Sequence, residues 1–246
     1  DKDNGTGIVE MDGWDFGTNG GTKIAVHGGE IDGGLNDDLT NSNKNPITLN
    51  ARTGNITLAD DDLVLPGGSE FIAPAGNIII KPQTNAPDIN IGSGFTPSGS
   101  INDLFIDGQF EAGGKVIIGD KNMPGNRTRI QGADFSDSSS PIGIYGGAVT
   151  VGENDTNLKL GGNRVHLNAH GGGGLSVQED ANISGTGELI LRAERSIKVG
   201  KAGGARTTLQ ANSGKLDVTL NADNDTTNKE GAVLIENTDI TTGGGD

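Results

Sequence analysis

The side chains best suited to chemistry in this chain are carboxylates. Asp60, Asp61 and Asp62 form its densest acidic run, between Leu58 and Leu63, and Asp37 with Asp38 forms a second. Carboxylates at such spacing serve as acid and base in glycoside cleavage or as oxygen ligands for calcium. The run falls where a loop is expected, and a solvated charge cluster is the ordinary outcome there. Asp60, Asp61 and Asp62 are therefore the candidate metal ligands, calcium is the only cofactor they suggest, and no catalytic residue is assigned.

Other motifs weaken on inspection. His166 and His170 have the spacing of a helical zinc site, but VHLNAH alternates like a strand, which sets the two imidazoles about 13 Å apart on one face. They are expected to face solvent, as is the isolated His27. Arg127 and Arg129 in NRTRI suit an anionic sugar, or simply the water-facing positions of a strand. GGLNDD near Gly33 is a broken echo of a calcium-roll repeat, with no array behind it. Trp14, Phe16 and Tyr145 could stack on sugars, although capping or core packing explains them as well.

These residues need a scaffold, and composition limits which one. The 246 residues include 43 glycines, no cysteine and 3% aromatics, with 32% hydrophobic residues and a net charge of −15. No G-X-Y period exists, which excludes collagen. Without cysteine there is neither a disulfide framework nor thiolate chemistry. The acidic surface repels nucleic-acid phosphates and anionic membranes, and no apolar run is long enough for a membrane helix. Disorder fails as a reading because the apolar residues alternate in short clusters such as Ile47, Leu49, Ile56 and Leu58. The chain opens at Asp1 without a signal peptide and stops in a polar run, so it is expected to be a piece of a longer protein.

A repeat organises the rest. It reads large apolar, any residue, Ala, a short spacer, then two apolar residues one apart. Copies begin at Leu49, Phe71, Phe110, Leu167, Leu191 and Leu209, with gaps of 22, 39, 57, 24 and 18. A coil of roughly 20 residues fits this set, giving about twelve coils in a single β-helix domain. Each copy makes sense as strand, corner, strand: residues two apart share a face, and Ala lets the chain bend inward. By extension from ordinary parallel crossovers the coil is expected to be right-handed. Pro82 to Asp103, Asp120 to Pro141 and Asn221 to Gly231 read as projecting loops.

The units LNARTGNITL, LILRAERSIKV and TTLQANSGKLDV resemble repeats of filamentous-haemagglutinin-type exoproteins, the passengers of two-partner secretion. The resemblance spans roughly Ile47 to Ile240. It implies a bacterial secreted or cell-surface protein, exported by an outer-membrane transporter, whose β-helix serves in adhesion or display. The NPNL- and NPNG-type motifs of the family's secretion domain are represented only by Asn45-Pro46, so the resemblance is to an interior repeat region. The leading expectation is a structural or adhesive rod contacting host or neighbouring-cell glycans. A polysaccharide lyase or tailspike-like hydrolase is the second, and a self-associating filament or sheath subunit the third.

Overall fold

The computed structural model describes residues 7–11, 24–28, 30–33, 46–61, 63–85, 87–95, 103–138, 140–152, 157–170, 172–223 and 231–244. Among them there is no helix. Every strand pairs parallel to its neighbours, and the chain winds into a β-solenoid of about seven turns. At ~4.8 Å per turn the rod is roughly 35 Å long.

The wall has three faces. The first stacks Ile8–Glu10, Glu30–Gly33, Ile56–Ala59, Ile78–Lys81, Val116–Ile118, Ile142–Gly146 and Arg164–Ala169. The second halves of Asn182–Ala193 and Thr207–Asn221 continue it. The second face carries Ile24–Gly28, Ile47–Ala51, the later parts of Val64–Ala73 and Leu104–Ala112, then Asn157–Gly161, the first halves of Asn182–Ala193 and Thr207–Asn221, and Thr238–Thr241. The third carries the early parts of those two long strands, then Ile89–Ile91, Arg127–Ile130, Ala148–Val151, Leu175–Val177, Ile197–Val199 and Val233–Ile235.

Period-two alternation produces the core. On the first face Ile31, Ile56, Ile78, Val116, Ile142, Val165 and Leu189 lie in register, and all seven are buried. β-Branched side chains suit this column because their restricted χ1 packs well on a pleated surface. Each buried Ile or Leu contributes on the order of 1.5–3 kcal/mol. The column runs into one continuous core from Met11 to Leu216. Corners are held by side chains stacked from coil to coil. Asn55 Oδ1 accepts the Asn77 backbone N–H at 2.8 Å, and Asn77 Oδ1 accepts that of Lys115 at 2.9 Å.

The coil is longer than the repeat spacing suggests. In register, Ile56 sits under Ile31 after 25 residues, Ile78 under Ile56 after 22, and Val116 under Ile78 after 38. The apolar-x-Ala unit marks a corner, not a coil. Copies at Leu49, Phe71, Phe110 and Leu209 turn from the second face to the first. Those at Leu167 and Leu191 lie on the first face and turn to the third. The 57-residue gap therefore mixes two kinds of corner, which is why about seven turns form and not twelve. Two stretches read as projecting loops also carry wall strands, Ile89–Ile91 and Arg127–Ile130. Their apolar alternation is too short to stand out among Pro, Gly and Ser. Most of the third stretch lies outside the described residues.

Candidate functional site

One strand breaks the coil order. On the third face Ile91 lies in register with Ile106 on one side and Ile130 on the other. Ile89–Ile91 thus wedges between two strands that both run on into the second face. Ile106 leads to Gly108–Ala112, and Ile130 leads to Ala133–Phe135. Ile89–Ile91 does not follow them. At Gly92 the backbone takes φ +104°, and a Cβ there would lie 2.4 Å from the Gln131 carbonyl oxygen, so only glycine fits the turn. Where its continuation would run, the second face has a wedge-shaped notch.

The notch is open beside Gly92 and closes at Ala112, whose carbonyl accepts the Ser140 hydroxyl. Its cavity is about 200 Å³ and is bounded by Ile91, Gly92, Gly108, Phe110, Ala133 and Phe135. Recesses of about 320 Å³ and 120 Å³ adjoin it, the first along Glu70 and Glu111, the second beneath Phe95 and Pro66. Behind it the aromatic rings are continuous: Phe71 stacks on Phe110 at 5.3 Å, and Phe110 meets Phe135 at 6.4 Å. Gly108 is needed at the bend of the upper rim, because a Cβ would lie 2.7 Å from Cε2 of Phe71.

Both rims present backbone groups. Gly113 donates its N–H to Ala73, so by alternation Gln109 and Glu111 face the strand above and Phe110 faces the notch. On the lower rim Lys159 donates to the Ala133 carbonyl and accepts from the Phe135 N–H. Asp134 therefore turns its own N–H and C=O towards Phe110.

The lining is acidic. Glu70, Asp107, Glu111, Asp134 and Asp137 border the notch and its recesses, and the described lining residues include no lysine or arginine. Burial pushes the Asp107 carboxyl above the usual carboxylate range. Burial acts the same way on Asp134 but is outweighed by hydrogen bonds from Lys159 and Ser136, which hold that carboxyl below it. The Lys159 ammonium lies 2.7 Å from Asp134. Gln109 crosses the mouth to reach Asp137 at 3.3 Å.

The residues singled out from sequence lie elsewhere. Asp60 is buried and donates its backbone N–H to Lys81. Asp61 braces the next coil, accepting the backbone N–H of Gln83 and Thr84 at 2.7 and 2.9 Å and the Thr84 hydroxyl at 2.6 Å. Asp62, Asp37, Asp38, Asn45, Trp14 and Phe16 lie outside the described residues. No group of three His, Asp or Glu able to hold a metal gathers among the described residues. Arg127 and Arg129 both reach Asp88, at 2.7 and 3.3 Å, and Arg129 lies over the Phe95 ring at 5.7 Å. They tie down the base of the segment that leaves the notch.

The histidines differ from expectation. His166 and His170 are half-buried on the first face, flanking Tyr145 at 6.2 and 5.5 Å, and each Nε2 is buried without a partner. Tyr145, one coil earlier, leans over Gly143 and packs against both. Burial first, then the nearby Arg192, lowers the His166 pKa to about 4. Burial likewise lowers that of His170.

The notch is not legible in the sequence because Ile91, Gly92, Ala133, Asp134 and Phe135 fall in two stretches that read as loops, while Phe110 reads only as a repeat corner. The available signal was the 39-residue gap between Phe71 and Phe110, nearly double its neighbour. Set against known protein families, characterised proteins and solved structures, the chain matches none.

Proposed function

We propose that this chain is a stiff, non-catalytic display segment of a bacterial secreted or cell-surface protein, of the filamentous-haemagglutinin type. It makes adhesive contact through the acidic notch. The observation that supports this reading is the notch itself: a recess of about 200 Å³ in a wall whose described strands all stack in parallel. Stacked ladders resist bending and hold such a recess at a fixed distance from whatever carries the rod. Export by an outer-membrane transporter belongs to the same proposal.

A second reading, carbohydrate cleavage, draws support from one pair of residues. Environments that push two carboxyl groups apart in pKa suit acid and base roles, and Asp107 and Asp134 line one cavity with opposite shifts. The deciding experiment incubates the purified chain with neutral and acidic polysaccharides, scoring retention and new reducing ends together. The display reading expects no new ends. Release of oligosaccharides, lost in Asp107→Asn, would replace it with the second.

A further inference from the structure

The notch also specifies what kind of molecule would fill it. At its open end the rims continue Ile106 and Ile130, which on the third face are held apart by one strand, Ile91. The opening is therefore one strand wide, about two inter-strand spacings or ~9.6 Å between rim backbones. Phe110 from above and Asp134 from below turn backbone donors and acceptors into that space. A sheet edge with free N–H and C=O groups is a template for pairing with another chain, and here two edges face each other.

We propose that the notch takes a short extended peptide segment of a partner protein, which extends the line of Ile89–Ile91 and pairs with both rims. This rests on the display reading and names its partner class. Main-chain hydrogen bonds give affinity in such strand addition, and alternate side chains give specificity. Both kinds of side chain are specified. Inward positions meet Phe110 and Phe135, whose rings already approach to 6.4 Å, so they must be Gly, Ala or Ser. Outward positions meet Asp107, Glu111, Asp134 and Asp137, so they must be Lys or Arg. A second copy of this chain, with a net charge of −15, is repelled. A neutral glycan leaves both the rim backbone pattern and the charge unused.

The test uses the full chain and three synthetic peptides: Lys-Gly-Lys-Ala-Lys-Gly-Lys, the same peptide N-methylated at Gly and Ala, and its all-Glu counterpart. Binding is measured by calorimetry at ~0.15 M salt, where loose surface attraction is largely screened. The basic peptide should bind, N-methylation should weaken it at least about tenfold, and the acidic peptide should not bind. Asp134→Asn combined with Glu111→Gln should also weaken binding about tenfold, with the circular dichroism spectrum unchanged. Equal binding of the N-methylated peptide would reduce the effect to surface charge and overturn the proposal, as would absence of binding. Either failure, with no polysaccharide cleaved, leaves the display reading intact. Cleavage of polysaccharide would remove that reading independently of the peptides.

Discussion

Phe110 sits at the junction of core and notch, and replacing it by alanine separates the two. Its side chain is 4% exposed and packs between Phe71, which is 0% exposed, and Phe135. Phe→Ala in a closed core costs about 3–5 kcal/mol, made up of lost transfer energy and the penalty of the void left behind. For Phe71→Ala both parts apply, and about 4–5 kcal/mol is expected. At Phe110 the vacated space joins an existing cavity of about 200 Å³, so water enters and the void part shrinks. The transfer part and two ring contacts remain, and about 3 kcal/mol is expected. Urea unfolding followed by circular dichroism, with linear extrapolation, measures both variants. A cost for Phe110→Ala below about 0.5 kcal/mol, typical of a surface site, would refute the ring stack. A cost above that of Phe71→Ala would refute the open notch.

Three further outcomes follow from side chains that join coils. Asn77→Ala removes the acceptor of the exposed Lys115 N–H and breaks the corner ladder to Asn55; a loss of about 0.5–1.5 kcal/mol in the same urea assay is expected. Asp61→Ala removes three acceptor contacts at an exposed corner, for about 1 kcal/mol, and added calcium should not change the difference between variant and parent. His166 has its pKa lowered from 6.5 to about 4, so the unfolded chain binds its proton first as pH falls. Its contribution is complete above about pH 6.5 and is lost as pH falls through about 4. With the half-exposed ring discounted for screening, that is about 1–2 kcal/mol. His166→Gln should flatten this part of the stability profile, and an unchanged slope between pH 6.5 and 4 would count against the buried imidazole.

Much of the scaffold was legible because it depends on local alternation. Leu49, Ala51, Ile56 and Leu58 announce two inward faces and a corner within ten residues, and all four are buried. The coil length was not legible. Leu-x-Ala at Leu167 and at Leu209 look alike, but which face each occupies is decided by pairing with residues a coil away. The site was hidden for a related reason. The notch arises because Ile89–Ile91 enters the wall and leaves it at Gly92, and nothing within INIG distinguishes a strand that continues from one that departs. The histidines show the same limit: the strand alternation of VHLNAH is legible, while the ring that packs against both, Tyr145, comes from the coil before. Asp61 was noticed for its charge, and that charge serves two backbone N–H groups 22 and 23 residues later.

Residue-resolved amide hydrogen exchange tests the notched parallel rod most directly. The Glu111 and Phe135 amides, paired outward to neighbouring strands, should be protected along with the Ile78 and Val116 ladder. The Phe110 and Asp134 amides, one residue away from each, should exchange orders of magnitude faster because they face the open notch. Protection of Phe110 and Asp134 equal to that of their neighbours would mean the second face is closed there, and the account of the site would fail.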